Sequence, residues 1–309
     1  MENLVLKVQD LSLKYFGGYK GVDMVSFETN DSIAILGKKL SGKTSLLRCI
    51  ANLEKYDGKI ELNTINIVFT FDLKSLKKSK SVSYNIAYPL ILRKEPNVDE
   101  KVLKIAKVLK IDSILNKSVK ELSISEQRLV ILARAFVRDA DLYLLDNPLK
   151  DVDNREEYFE ILKGLMKDKF VIYATDDVKE AESFNKILCM AYQKTIGFGS
   201  KEEILQRPKT IDVLKLFTDY KFENIELKKD GDKYYIEYLN IKYDVPSPIS
   251  EIYNGKEVVF AVNGEKIILN MYFDKSTEYL ISRDWYGKER YWCFSRRKRR
   301  RERNFYWLF

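Results

Sequence analysis

Residues 37–44, Gly-Lys-Lys-Leu-Ser-Gly-Lys-Thr, spell G-x-x-x-x-G-K-[ST], a loop whose residue types suit the holding of a polyphosphate. Backbone amides near Gly42 and at the start of a following helix can face phosphate oxygens. Lys43 can neutralise the terminal phosphates, and the Thr44 hydroxyl can ligate Mg2+. Gly37 and Gly42 keep side chains away from such a ligand, and Lys38, Lys39, Leu40, Ser41 and Ser45 complete the segment that would wrap it. A second element is an acid that closes an apolar run. "LYLLD" ends in Asp146, a residue that either holds Mg2+ through water or caps the next helix, and its pairing with the loop favours the metal.

The elements around these residues give the fold class. Residues 3–8 and 23–36 read as strands, the second ending in "IAIL". "SGKTSLLRCIANL" then has the apolar spacing of a helix, so the loop stands between strand and helix as its chemistry requires. "INIVF" reads as a short strand, "YNIAYPLILRK", "VDEKVLKIAKVLKIDSIL" and "SEQRLVILARAFVRDA" as helices, and "LYLLD" as a buried strand. The helix "REEYFEILKGLM", the strand "FVIYAT", the helix "VKEAESF" and the strand "KILCMA" follow. Strands alternating with helices predict an α/β P-loop fold on a mainly parallel sheet. A short helix near residues 205–217 precedes strand-rich sequence with hairpin turns at Asp230-Gly231 and Asn263-Gly264, which predicts a small β domain.

Composition narrows the chemistry. Among 309 residues there is no histidine, which removes histidine acid-base chemistry and the commonest metal ligand. Cys49, Cys189 and Cys293 have no paired spacing, which suggests isolated thiols. The net charge of +8 is concentrated at the end, where residues 283–309 hold ten Lys/Arg against three acids, so the nearly neutral body predicts no specific nucleic-acid partner. No apolar run predicts a membrane span and no cleavable leader is expected, which points to a cytoplasmic chain.

"LSISEQ", "LARA" and "LLDNPLKDVD" resemble, at matching spacing, the LSGGQ, ARA and DEPLSxLD stretches of ATP-binding cassette (ABC) transporter ATPases. The likeness runs over nearly residues 1–282. "SVSYNIAYPLILRK" and "IYATDDVKEAESF" resemble the subgroup that powers sugar and glycerol-phosphate importers. "FENIELKKDGDKYYIEYLNIKYDVPSP" and "NMYFDKSTEYLI" resemble the first and last parts of that subgroup's C-terminal regulatory β domain. The resemblance implies an ATP-binding domain over 1–212 with a helical subdomain at about 83–136. A partial, truncated OB-like β domain over 213–281 and a basic tail over 282–309 would follow. The tail matches nothing in the family and is expected to be a disordered extension or translated non-coding sequence, with an anionic-lipid or RNA contact as the alternative.

Carried over by position, the resemblance gives Phe16, or its neighbour Tyr15, the adenine-stacking role. Residues 37–45 would hold the phosphates, Asp146 the Mg2+ through water, and Ser123 the γ-phosphate of a partner's ATP. It implies ATP as substrate, Mg2+ as cofactor, integral membrane permease subunits as partners, and a homodimer or a heterodimer with another ABC ATPase. The site of action would be the cytoplasmic face of the membrane.

Several positions depart from the pattern. The catalytic glutamate position is Asn147, which can hold a water but cannot accept its proton. The switch histidine position is Asp176, with the wrong charge for a γ-phosphate. Thr70 stands where a glutamine usually senses Mg2+. Ile124, Ser125 and Glu126 replace Gly-Gly-Gln of the signature, which brings bulk and negative charge to a surface that approaches another chain's ATP. The expected function is therefore ATP binding with weak hydrolysis in an importer of carbohydrate type. The alternative is a catalytically impaired regulatory subunit paired with a competent ATPase.

Overall fold

The computed structural model describes residues 4–206, 208, 210–218, 221–238, 241–245, 257–262, 270–272, 279–286 and 289–296. The chain divides into two compact units, Met1–Glu202 and Glu203–Phe309. Unit one opens with β1 (Leu6–Lys14), β2 (Lys20–Thr29), β3 (Ile33–Leu36) and α1 (Lys43–Ile50), then β4 (Asp57–Leu62) and β5 (Ile67–Phe69). Helices α2 (Val82–Leu92), α3 (Val98–Val108) and α4 (Ile124–Phe136) come next. The unit continues through β6 (Leu142–Asp146), α5 (Arg155–Met166), β7 (Phe170–Thr175), α6 (Val178–Ala181), β8 (Lys186–Ala191) and β9 (Lys194–Gly199).

Two sheets result. An antiparallel sheet has the order β2-β1-β4, and a second sheet has the order β5-β6-β7-β3-β8-β9, parallel except for the β8-β9 pair. The stretch read from sequence as one strand over 23–36 is two strands. Between them the Thr29 hydroxyl donates to the Asp31 carbonyl at 2.8 Å and accepts from its N–H at 3.1 Å, and this local turn passes the chain from one sheet to the other. "VKEAESF" forms only one helical turn, Val178–Ala181.

The parallel sheet separates two cores, and the alternation of strand side chains shows how. Leu142 and Leu144 of β6 and Ile172 and Ala174 of β7 join a core with α1 and the antiparallel sheet, while Tyr143, Leu145, Val171 and Tyr173 join a core with α2 to α5. Burial on both faces accounts for the unbroken apolar runs that marked these strands in the sequence. Cys49 in α1 and Cys189 in β8 are buried free thiols, and burial pushes each up to about 12.

Unit two begins near α7 (Lys201–Gln206) and α8 (Ile211–Phe217). It continues with β10 (Lys221–Glu226), β11 (Lys228–Asp230), β12 (Lys233–Tyr238), β13 (Ile241–Val245), β14 (Glu257–Val262), β15 (Asn270–Tyr272), β16 (Tyr279–Tyr286) and β17 (Glu289–Arg296). Its sheets have the orders β10-β14-β15-β17-β16 and β11-β12-β13. The β11-β12 hairpin turns at Asp230-Gly231, the first of the two sites read from sequence, whereas the Asn263-Gly264 turn lies outside the described residues. Position 282 falls inside β16, which pairs antiparallel with β17, and residues 297–309 lie outside the described residues.

Candidate functional site

The phosphate loop joins β3 to α1. Gly37 is placed where an added Cβ would come within 2.5 Å of the Met190 carbonyl, and Gly42, at φ +102°, would bring one within 2.7 Å of the Gly21 carbonyl. Only glycine fits either position. Lys38, Lys39 and Leu40 are exposed, Ser41 is buried with its hydroxyl unpartnered, and Ser45 is half-buried. Gln193 braces the loop from the β8-β9 turn: its side-chain amide donates to the Leu40 carbonyl at 2.7 Å, and its N–H donates to the Ser41 carbonyl at 3.1 Å.

Lys43 is buried, with its ammonium folded back onto the Gly37 and Lys38 carbonyls at 2.5 and 3.1 Å. Desolvation holds its pKa below the ordinary lysine value, offset by the charges of Asp176 and Asp146. A bound polyanion would favour the same charged form that burial opposes.

At the end of β6, Asp146 Oδ2 accepts from the Thr44 hydroxyl at 2.7 Å. Desolvation raises the Asp146 pKa, against the Thr44 hydrogen bond and the charges of Lys43 and Arg128. This pair is a hard, oxygen-only donor set of the kind that suits Mg2+, an ion commonly held by one or two carboxylates together with phosphate oxygens and water. Among the described residues no cluster of three acidic or thiol groups forms an all-protein cage. Thr70 is buried behind this pair: its hydroxyl accepts from the Asp146 N–H at 2.8 Å and lies 3.3 Å from the Leu144 carbonyl, so it braces the end of β6.

Asn147 follows in the left-handed region, at φ +43°, with its N–H on the Ala174 carbonyl at 2.8 Å and its amide 3.4 Å from Asp146 Oδ1. Its Oδ1 is buried and unpartnered. Asp176 lies just beyond Thr175, which pairs with Leu36 across β3 and β7, and the Thr175 carbonyl accepts from the Gly37 N–H at 3.2 Å. The loop, Asp146, Asn147 and Asp176 therefore meet at the ends of three neighbouring strands, β3, β6 and β7.

At the tip of the β1-β2 hairpin, Phe16 is fully exposed, and the Tyr15 hydroxyl reaches Ser45 Oγ at 3.1 Å. The hairpin tip is thereby tied to the first turn of α1. Ser123 caps α4 on another part of the unit. Its hydroxyl accepts from the Glu126 N–H at 3.1 Å, and Glu126 Oε2 accepts from the Ser123 N–H at 2.8 Å, a reciprocal capping box. Ser125 turns inward and accepts from the Asp153 N–H at 2.9 Å. Of the three altered signature residues only Ile124 stands out, 56 % exposed. The Ser-x-x-Glu spacing was available in the sequence as a capping signal, whereas nothing local marked Ser125 as the support of residue 153.

Comparison with known proteins gives the family. The profile of the family described as "ABC transporter" matches residues 21–150. The chain is 36 % identical over 222 residues to the molybdate/tungstate import ATP-binding protein of Methanocaldococcus jannaschii, covering 66 % of this chain and 73 % of that one. It is 30 % identical over 284 residues to the trehalose/maltose import ATP-binding protein of Thermococcus litoralis, covering 82 % and 76 %. Among solved structures, a bacterial Atm1-family ABC exporter with ATP bound matches at TM-score 0.62 and 17 % identity, over 70 % of this chain and 42 % of the exporter chain, a likeness of fold. Phosphate loop, strand-end aspartate, sheet order and relatives converge on one assignment: the chain belongs to the ABC transporter family and carries its ATP-binding domain.

Proposed function

We propose that the chain is the ATP-binding subunit of an importer, binding Mg-ATP firmly and hydrolysing it slowly. The observation that carries this reading is the meeting of an intact phosphate loop with a strand-end acid and, in place of a general base, an amide. Lys43 and the loop amides would take the phosphates, Thr44 and Asp146 the metal, and Phe16, with its face free, the adenine; Tyr15 is the neighbouring alternative. Magnesium bound there would neutralise phosphate charge. The amide of Asn147 cannot take a proton from an attacking water, and losing general-base help typically costs about 10²–10⁴-fold in rate.

Relatives named for import, and an open groove in unit one, support membrane permease partners. The groove, about 470 Å³, runs between the end of α1, β5, α2 and α4, and Leu53, Phe71, Pro89 and Leu92 line it. Leu53, Phe71 and Leu92 are 41, 43 and 65 % exposed, an uncovered apolar surface of the kind an amphipathic helix of a membrane subunit would fill. Among the described residues no helix is long and apolar enough to cross a membrane. The relatives named as import ATP-binding proteins support a subunit that sits peripherally on the cytoplasmic face. Two copies, or this chain and another ABC ATPase, would close on ATP with Ser123 facing the partner's γ-phosphate. The relatives' names span oxyanion and sugar import, and the motif likeness favours a carbohydrate-type solute.

The test is a Mg-ATP titration together with steady-state phosphate release. Wild type should bind Mg-ATP and Lys43→Ala should not, and phosphate release should fall well below that of a subunit with every family motif. Equal binding by both chains would remove the reading.

A further inference from the structure

Asp176 follows Thr175, whose carbonyl accepts from the Gly37 N–H of the phosphate loop, and its charge acts on Lys43, so it would oppose a terminal phosphate bound there; the structure supplies an offset. From the first turn of α5, Arg155 Nη2 lies 3.9 Å from Asp176 Oδ1 and 3.5 Å from the Thr175 hydroxyl, and its Nε lies 3.9 Å from Asp177 Oδ2. The same Nε donates to Glu180 Oε1 at 2.6 Å. The Glu180 side chain is only 5 % exposed, and its other oxygen accepts from the Thr175 hydroxyl at 2.6 Å and the Tyr173 hydroxyl at 3.0 Å. A fully bonded buried carboxylate thus anchors the guanidinium, while Asp176, 56 % exposed, has no such restraint of its own. Among the described residues Arg155 is the cation within ion-pair distance of Asp176, Asp177 and Glu180 alike.

We propose that Arg155 is a positioning residue for the triphosphate: anchored on Glu180, it pairs with Asp176 and lets a γ-phosphate occupy a place that an unpaired Asp176 would deny it. ADP lacks the group that meets Asp176, so the pair sets the preference for ATP over ADP. The inference rests on the nucleotide reading above and assigns a role to a residue that no phosphate-binding motif contains. Charge, more than shape, carries the effect, so a lysine should retain much of it.

The experiment is a pair of titrations, Mg-ATP and Mg-ADP, on the full chain. Arg155→Ala should weaken ATP binding about tenfold and leave ADP within about twofold, since one full charge interaction at this range is of that order. Adding Asp176→Asn should return ATP affinity to near the wild-type value, and Arg155→Lys should keep most of it. Removing Arg155 strands a buried carboxylate, so circular dichroism verifies the fold of each variant and the Mg-ADP titration reports any general damage to the nucleotide site. Equal losses for ATP and ADP, an unchanged ATP affinity, or a loss that Asp176→Asn leaves in place would each overturn the proposal while leaving nucleotide binding intact. A wild-type chain that binds neither nucleotide would instead remove the reading beneath it.

Discussion

In the proposed reading, Asn147 and Asp176 would act as a pair on bound ATP. On that reading, replacing Asn147 by glutamate would supply a base, but a γ-phosphate would still meet Asp176, and a partner's signature would still present Ile124. Groups that act together are strongly non-additive. Asn147→Glu alone should therefore raise phosphate release little, and Asn147→Glu with Asp176→His and a Gly-Gly-Gln signature should raise it much more. Asp146 allows a stability prediction with a definite sign. Its pKa is raised by burial, so folding is penalised when it ionises, and that penalty grows as pH rises through the folded-state value. Asp146→Asn should then raise the melting temperature at pH 7, the gain should disappear below the carboxylate range, and Mg-dependent ATP binding should be lost. Thermal unfolding at pH 7 and pH 3, with a Mg-ATP titration, checks all three.

At the scale of elements, α4 shows how a departure in sequence can be conservative in structure. Glu126 closes the capping box, so Ser123→Ala should destabilise by about 1 kcal/mol in a denaturant melt, with Glu126→Gln nearly neutral. The strands and helices of unit one were legible because burial on both faces writes unbroken apolar runs into β3, β6 and β7, and the phosphate loop was legible because glycine spacing is local. What escaped the sequence depends on distance along the chain. Arg155 and Glu180 are brought together by α5 and α6, Ser125 by the loop at residue 153, and neither contact leaves a periodic signal. The break between β2 and β3 was hidden for another reason: the apolar character resumes at once, and only the turn at Asp31 divides it.

For the whole molecule, the loop, Asp146, Asn147, Asp176 and the hairpin bearing Phe16 all belong to unit one. A chain ending at Thr218 should accordingly bind Mg-ATP within about threefold of the full chain, as measured by titration, since compact units of this kind fold around their own cores. The two buried thiols of unit one give this unit a clock. Cys49 lies in the helix that follows the phosphate loop and Cys189 in the strand beside β3, and with pKa values of about 12 neither offers thiolate to a reagent while its element stays closed. In a Cys293→Ser chain, the rate of alkylation then counts openings of the helix and the strand, residue by residue in a peptide map. Mg-ATP should slow modification at Cys49 more than at Cys189, so a mass spectrometer could follow the tightening of the loop without any label on the nucleotide.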